Sequence, residues 1–276
     1  MKATKNLDFS GTHFFIIAHP DDWQLFMGEY AFDVIHSAPT KVVIISTDAG
    51  DGGKDTAYWQ TREKAGIGSV RSVLGFSLTD GDPSEVQDTV VVNGAKIAHR
   101  SLRNVSMYFF RLPDGDDTGE GTAFGKYQSM LKLYDGQIDS ITSLDGTNTY
   151  TKDSLGKAIT AIVQKEYPSP KNSVALYILD PGSERKYSHS DHLVTQFYAR
   201  DSFSGLQSSN CKTRAFRDYA ISKKTQNLFD DELSKKVRLF EAYDYIMITG
   251  VGTCNFCLKS HLDWLFRSYM REFECS

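Results

Sequence analysis

Three short runs most constrain how this chain can fold: 13–18 (HFFIIA), 41–47 (KVVIIST) and 174–179 (VALYIL). A strand with one wet face alternates apolar and polar residues. Runs that stay apolar read as strands buried on both faces of a sheet. Helical segments lie between and after them. Residues 23–37 carry Trp23, Leu25, Phe26, Tyr30, Phe32, Val34 and Ile35, apolar on more than one face. Residues 58–74 place Trp59, Ala65, Val70, Val73 and Leu74 on one face, and Gly75 supplies the stop. A further helix spans 154–166 and ends before Pro168. This alternation predicts an α/β chain, a Rossmann-like three-layer domain with a mainly parallel sheet and helices on both faces.

Elaborations are visible around that frame. Runs 86–92 and 95–99 flank Asn93-Gly94, a strong hairpin signal. Residues 105–112 form another strand, closed by Pro113-Asp114-Gly115. The stretch 114–125 is loop in composition and is placed to serve as a lid or wall. A late strand is expected at 214–222, and C-terminal helices at 233–245 and 262–273. No repeat interrupts the pattern, and 276 residues suit one domain over 1–276.

Composition excludes several roles. Lys plus Arg is 31 and Asp plus Glu is 35, a formal charge of −4, which argues against a nucleic-acid surface. The longest early apolar stretch, Phe14 to Ala18, is five residues. A membrane span needs about 20 and a signal-peptide core at least about 7. The chain therefore reads as cytoplasmic, with no membrane span. Cys211, Cys254, Cys257 and Cys275 fit that compartment as reduced thiols, since Cys254-Asn255-Phe256-Cys257 has no second pair to complete a zinc site. A disulfide or metal clip is the other reading.

In parallel sheets, ligands sit beyond the carboxyl ends of the strands. Here those ends carry His19-Pro20-Asp21-Asp22, Asp48 to Gly53, Arg111 to Asp116, and Asp180 to His192. Pro20 has no amide hydrogen to donate and ends its strand, which turns His19 and both aspartates onto the sheet edge. Adjacent carboxylates beside an imidazole are costly unless a cation neutralises them. In His189-Ser190-Asp191-His192 the two histidines are three apart, on one side of a helical turn. One imidazole and one carboxylate from the first cluster, with one imidazole from the second, suit a divalent metal with an open position, most often zinc. The remaining aspartate and histidine can then serve as base and acid for hydrolysis of an amide.

Ala18-His19-Pro20-Asp21-Asp22 and His189-Ser190-Asp191-His192 together resemble the LmbE-like (PIG-L-like) N-acetylglucosaminyl deacetylases. Supporting matches are Thr47-Asp48-Ala49-Gly50, the helix from Arg62-Glu63-Lys64-Ala65 to Leu74-Gly75, and Arg111-Leu112-Pro113-Asp114-Gly115. The resemblance implies His19, Asp22 and His192 as ligands of Zn2+, or of another divalent ion such as Fe2+. It implies Asp21 as general base, His189 as general acid or oxyanion partner, and Asp191 as the residue that orients His189. Arg62, Asp48 and Arg111 become candidates for sugar contacts. Trp23 stands where many members carry an acid, and Ser190 where many carry proline. The implied activity is removal of an N-acetyl group from an N-acetylglucosamine-type sugar or conjugate, a small-molecule substrate. Other readings are an amidase on another N-acyl conjugate, a non-haem iron oxygenase built on the same two-histidine, one-carboxylate set, and a non-catalytic sugar-binding protein. The oligomeric state is left open.

Overall fold

A computed structural model describes residues 11–37, 39–167, 172–180, 182–206 and 210–275. Pro168, read above as a helix stop, lies outside them, as does Pro181 in the segment from Asp180 to His192. In chain order the elements are β1 (Thr12–Ile17), α1 (Asp22–His36), β2 (Lys41–Asp48), α2 (Thr56–Leu74), β3 (Val86–Val92), β4 (Ala95–Leu102) and β5 (Val105–Leu112). There follow α3 (Met130–Tyr134), β6 (Ile141–Thr142), β7 (Thr149–Tyr150), α4 (Lys152–Glu166), β8 (Val174–Leu179) and α5 (Ser190–Phe203). The chain closes with β9 (Cys211–Phe216), α6 (Asp230–Val251), α7 (Lys259–Leu265) and β10 (Met270–Glu274).

Eight strands form one sheet in the order β10-β9-β8-β1-β2-β5-β4-β3. The five from β9 to β5 are parallel, and antiparallel strands close both edges. Alternate side chains of each central strand enter different cores. Phe15, Ile17, Val42 and Ile44 pack under α1, α2 and α6; Phe14, Ile16, Val43 and Ile45 pack under α3, α4 and α5. Burial on both faces is why the sequence runs lack polar alternation. The expected three-layer α/β architecture is present, with the hairpin of β3 and β4 where Asn93-Gly94 lies. Helix α2 starts where Asp55 accepts a hydrogen bond from the Tyr58 amide at 3.0 Å, and ends at Gly75 with φ 78°.

The C-terminus departs from the sequence reading. The helix expected over 262–273 stops at Leu265, and Met270–Glu274 pairs antiparallel with β9. Tertiary partners override helical spacing here. Arg214 donates to Glu272 at 2.7 Å, and Cys275 is bonded to Cys211. Likewise the late strand expected at 214–222 runs instead over Cys211–Phe216, and Tyr219–Lys223 turns as a 3-10 helix. The reduced-thiol reading is overturned: Cys211–Cys275 and Cys254–Cys257 are both disulfides. Each pair is brought together by tertiary contacts or a turn that spacing alone does not reveal. Among the described residues, no helix is long and apolar enough to cross a membrane.

Candidate metal centre and active site

Strand β1 lies between β2, reached first, and β8, reached much later. The chain thus leaves β1 in opposite directions, and a crevice opens at its carboxyl end. His19 follows β1 and Asp48 ends β2; Asp114 lies just beyond β5, and the turn after β8 leads to His189. All four are buried.

His19, Asp22 and His192 meet there. His19 Nδ1 is 3.1 Å from His192 Nε2 and 3.4 Å from Asp22 Oδ1, and His192 Nε2 is 3.1 Å from Asp22 Oδ1. Tetrahedral zinc with ligands at about 2.0–2.1 Å would space its donor atoms about 3.3 Å apart. The triangle has the right atoms at the right separations for a divalent cation, and the group is buried. Behind it, His192 Nδ1 is 3.1 Å from Asp218 Oδ2. That is the carboxylate–histidine support by which proteins orient metal ligands. Burial opposes a charge on His192, yet Asp22 and Asp218 on either side lift its pKa to about 10. Burial likewise resists ionisation of Asp22, but His192 and His19 hold its carboxyl well below the usual range.

Asp21 stands beside the triangle. It is the N-cap residue of α1, but its side chain makes no capping bond to the helix. Instead its Oδ1 accepts from Arg62 Nη2. Arg62 is clamped in turn, donating from Nε to the Tyr243 hydroxyl at 2.9 Å and from Nη1 to the Gly50 carbonyl at 2.5 Å. Gly50 has φ 60°, and a side chain there would overlap the guanidinium. The second oxygen of Asp21 is left for the cleft.

His189 caps α5: its Nδ1 accepts the Asp191 amide hydrogen at 3.2 Å. The ring proton is therefore assigned to Nε2, which lies 3.3 Å from Asp114 Oδ1. Asp191 Oδ2 is 3.6 Å from His189 Nδ1 and accepts the Gly115 amide at 2.7 Å. Burial and the charge of Asp114 push Asp191 up to about 7. Asp114, not Asp191, is thus the carboxylate facing the ring's N–H. Asp48 lies behind His19, with Oδ2 3.6 Å from its Nε2. Burial, then the charges of Asp191 and Asp114, raise its pKa well above the ordinary value.

A cleft of about 230 Å³ opens over these groups. His19, Asp21, Asp22, Arg62, Asp114 and His189 line its reaction end. Asp48 and Arg111 do not line it. Arg111 makes a two-pronged ion pair with Glu63 at 2.7 and 2.8 Å and reaches Asp145 at 2.9 Å. Sequence reasoning missed Asp114 and Asp218. Asp114 was within sight, at the close of the 105–112 strand. Asp218 was hidden because the late strand was drawn to 222, six residues past its end at Phe216. The loop 114–125 is pinned rather than free: Asp114 N–H donates to Asp51 at 2.8 Å, and Ser190 Oγ to the Asp116 carbonyl at 2.7 Å.

No family model matches the chain, and no curated protein matches it. Solved structures do. One is the N,N'-diacetylchitobiose deacetylase from Pyrococcus horikoshii, at 14% identity and TM-score 0.52, covering 93% of this chain and 76% of that one. The two share a fold. Teicoplanin deacetylase Orf2, in its zinc-inhibited form, aligns over 87% of this chain and 86% of its own at 15% identity, TM-score 0.47. GalB, a 4-carboxy-2-hydroxymuconate hydratase from Pseudomonas putida KT2440, aligns over 86% and 83% at 13% identity, TM-score 0.42.

Proposed function

We propose that the protein is a divalent-metal-dependent hydrolase that removes the N-acetyl group from an N-acetylglucosamine-type sugar or conjugate. The observation that carries this reading is the triangle of His19 Nδ1, Asp22 Oδ1 and His192 Nε2, with Asp21 beside it at the floor of one cleft. The fold shared with a diacetylchitobiose deacetylase supports it. When bound, a cation such as Zn2+ supplies Lewis acidity, polarising a carbonyl and lowering the pKa of a coordinated water toward about 7.

The chain's own residues do the rest. Asp21 keeps one oxygen on Arg62 and turns the other to the cleft, where it takes a proton from the attacking water. The Arg62 clamp fixes the direction of that carboxylate, which matters because proton transfer needs hydrogen-bond distance. His189 Nε2–H, which faces Asp114 Oδ1 at 3.3 Å, would exchange that carboxylate for the oxygen that gains charge as the amide carbon becomes tetrahedral. A binding protein needs no free carboxylate next to its metal, so Asp21 favours catalysis over mere capture. The eight-stranded sheet, which takes strands from both ends of the described residues, supports reading the chain as one domain. The two disulfides support an oxidising compartment rather than the cytoplasm, because disulfides persist where thiols are not kept reduced.

The test is acetate release from N-acetylglucosamine and its glycosides, with and without chelator. Release that chelator abolishes and Zn2+ restores is expected. Release unaffected by chelator, or none from any N-acetyl sugar, would overturn the reading.

A further inference from the structure

The cleft has a second wall that the proposed reaction leaves unused. It is built after α6 and along α7, where Asn255, Leu258, His261 and Trp264 line it. Asn255 is 5% exposed. Its backbone N–H and its side-chain Nδ2 both donate to Asp244 Oδ1, at 2.6 and 2.9 Å. The Phe256 amide donates to the other oxygen at 3.2 Å. Asp244 is itself buried in α6. A carboxylate is thus removed from water to grip two residues of a loop, a costly arrangement without a purpose for that loop. The Cys254–Cys257 bond closes the same loop on both sides of Asn255.

This double fixing decides which way the amide points. The nitrogen faces Asp244, so Oδ1 remains as an acceptor. It takes no hydrogen bond from the described residues, yet it is not sealed from solvent. Next to it, Trp264 lies flat on Tyr219, ring centres 4.6 Å apart, and the His261 ring stacks on Phe240. These rings stiffen an aromatic surface beside a fixed acceptor. The reaction end already carries Asp21, Asp22 and Asp114, which disfavours an anionic neighbour. The rim cation Lys54 is turned over the Tyr58 ring at 3.9 Å.

We propose that this wall is a second substrate subsite, where Asn255 Oδ1 accepts a hydroxyl hydrogen from an uncharged polyhydroxylated ring attached to the N-acetyl sugar. The proposal rests on the deacetylase reading and specifies its substrate as larger than one sugar. Asn255 and the aromatic surface recognise the second ring, while the strand-end residues act on the amide. Asp244 is a positioning residue, since it works only through Asn255.

The probes are N-acetylglucosamine and N,N'-diacetylchitobiose, used with the Zn2+-loaded full chain. Wild type is expected to show a higher kcat/KM for the disaccharide. Asn255→Ala and Asp244→Asn are expected to reduce that preference about tenfold, through KM rather than kcat. Calorimetric binding of the disaccharide should weaken by a similar factor, and this readout does not depend on turnover. An unchanged melting temperature in Asn255→Ala separates lost contact from lost folding. Disaccharide binding that is absent in wild type, or equal in wild type and Asn255→Ala, would overturn the subsite. If the disaccharide binds in an Asn255-dependent way but neither sugar releases acetate, the deacetylase reading fails and the subsite stands. If both release acetate with the same preference in all variants, the reading stands and the subsite fails.

Discussion

Asp21 and Asp22 are adjacent in sequence and do opposite work. Asp22 points one oxygen at two imidazoles, whereas Asp21 pairs with Arg62. Asp21→Asn should therefore keep its metal and lose about 10²- to 10⁴-fold in kcat. Metal analysis alongside acetate release checks both halves, and near wild-type turnover would take the base away from Asp21. Asp218→Asn removes the carboxylate behind His192. A loss of about 10- to 100-fold in metal affinity is expected, measured by competition with a chromophoric chelator. His192 also sets a pH dependence. Against the effect of burial, Asp22 and Asp218 raise its pKa from 6.5 to about 10, which favours a protonated ring at pH 7. A ligand nitrogen must give up that proton. Metal binding at pH 7 should release it, and affinity should strengthen as pH rises toward about 10. Calorimetry in buffers of different ionisation enthalpy reads the proton; zero release would mean the ring is already neutral.

The elements meet at the site through close approaches that tolerate little added bulk. Helix α5 brings His189 at its cap and His192 one turn on, and its start presses against Gly115. A Cβ at Gly115 would lie 2.7 Å from Asp191 Oδ1 and 2.9 Å from Ser190 Oγ. Gly115→Ala should cost about 1–3 kcal/mol of stability, read by denaturant unfolding. Because the displaced helix end carries both histidines, metal affinity should fall as well. Loss of neither would show that the loop yields without moving α5. The same scale explains which elements the sequence revealed. Strands β1, β2 and β8 were legible because burial on both faces writes an unbroken apolar run. Helix α2 was legible from its one-sided spacing and Gly75. β10 was not, because MREFE has no strong strand signature and is held by Arg214, Cys211 and the edge of β9.

At the scale of the molecule, the Cys211–Cys275 bond ties the last edge strand to the sheet across a sequence separation of 64. Loop-closure entropy of that span corresponds to about 4 kcal/mol. A Cys211→Ser, Cys275→Ser double variant should lose stability of that order in chemical denaturation. Full retention would mean that the unbonded chain is already restricted at this edge. The strand order matters more for function. It is the position of β1 between β2 and β8 that brings residue 19 within reach of residue 192.

By itself the sequence determined the alternation of buried strands and helices, and with it the sheet and the edge on which polar chemistry gathers. It also determined the ligand candidates, because adjacent carboxylates beside histidines at strand ends are costly without a cation. These are local properties, set by periodicity and by the chemistry of neighbours along the chain. Only the tertiary structure decided which partners those residues take. Arg62 went to Asp21, Arg111 to Glu63, Asp114 to His189 and Asp218 to His192. It also paired the four cysteines and folded the C-terminal segment over the cleft. These contacts join residues far apart in the chain, whose meeting depends on strand order and helix packing rather than on any spacing a sequence displays.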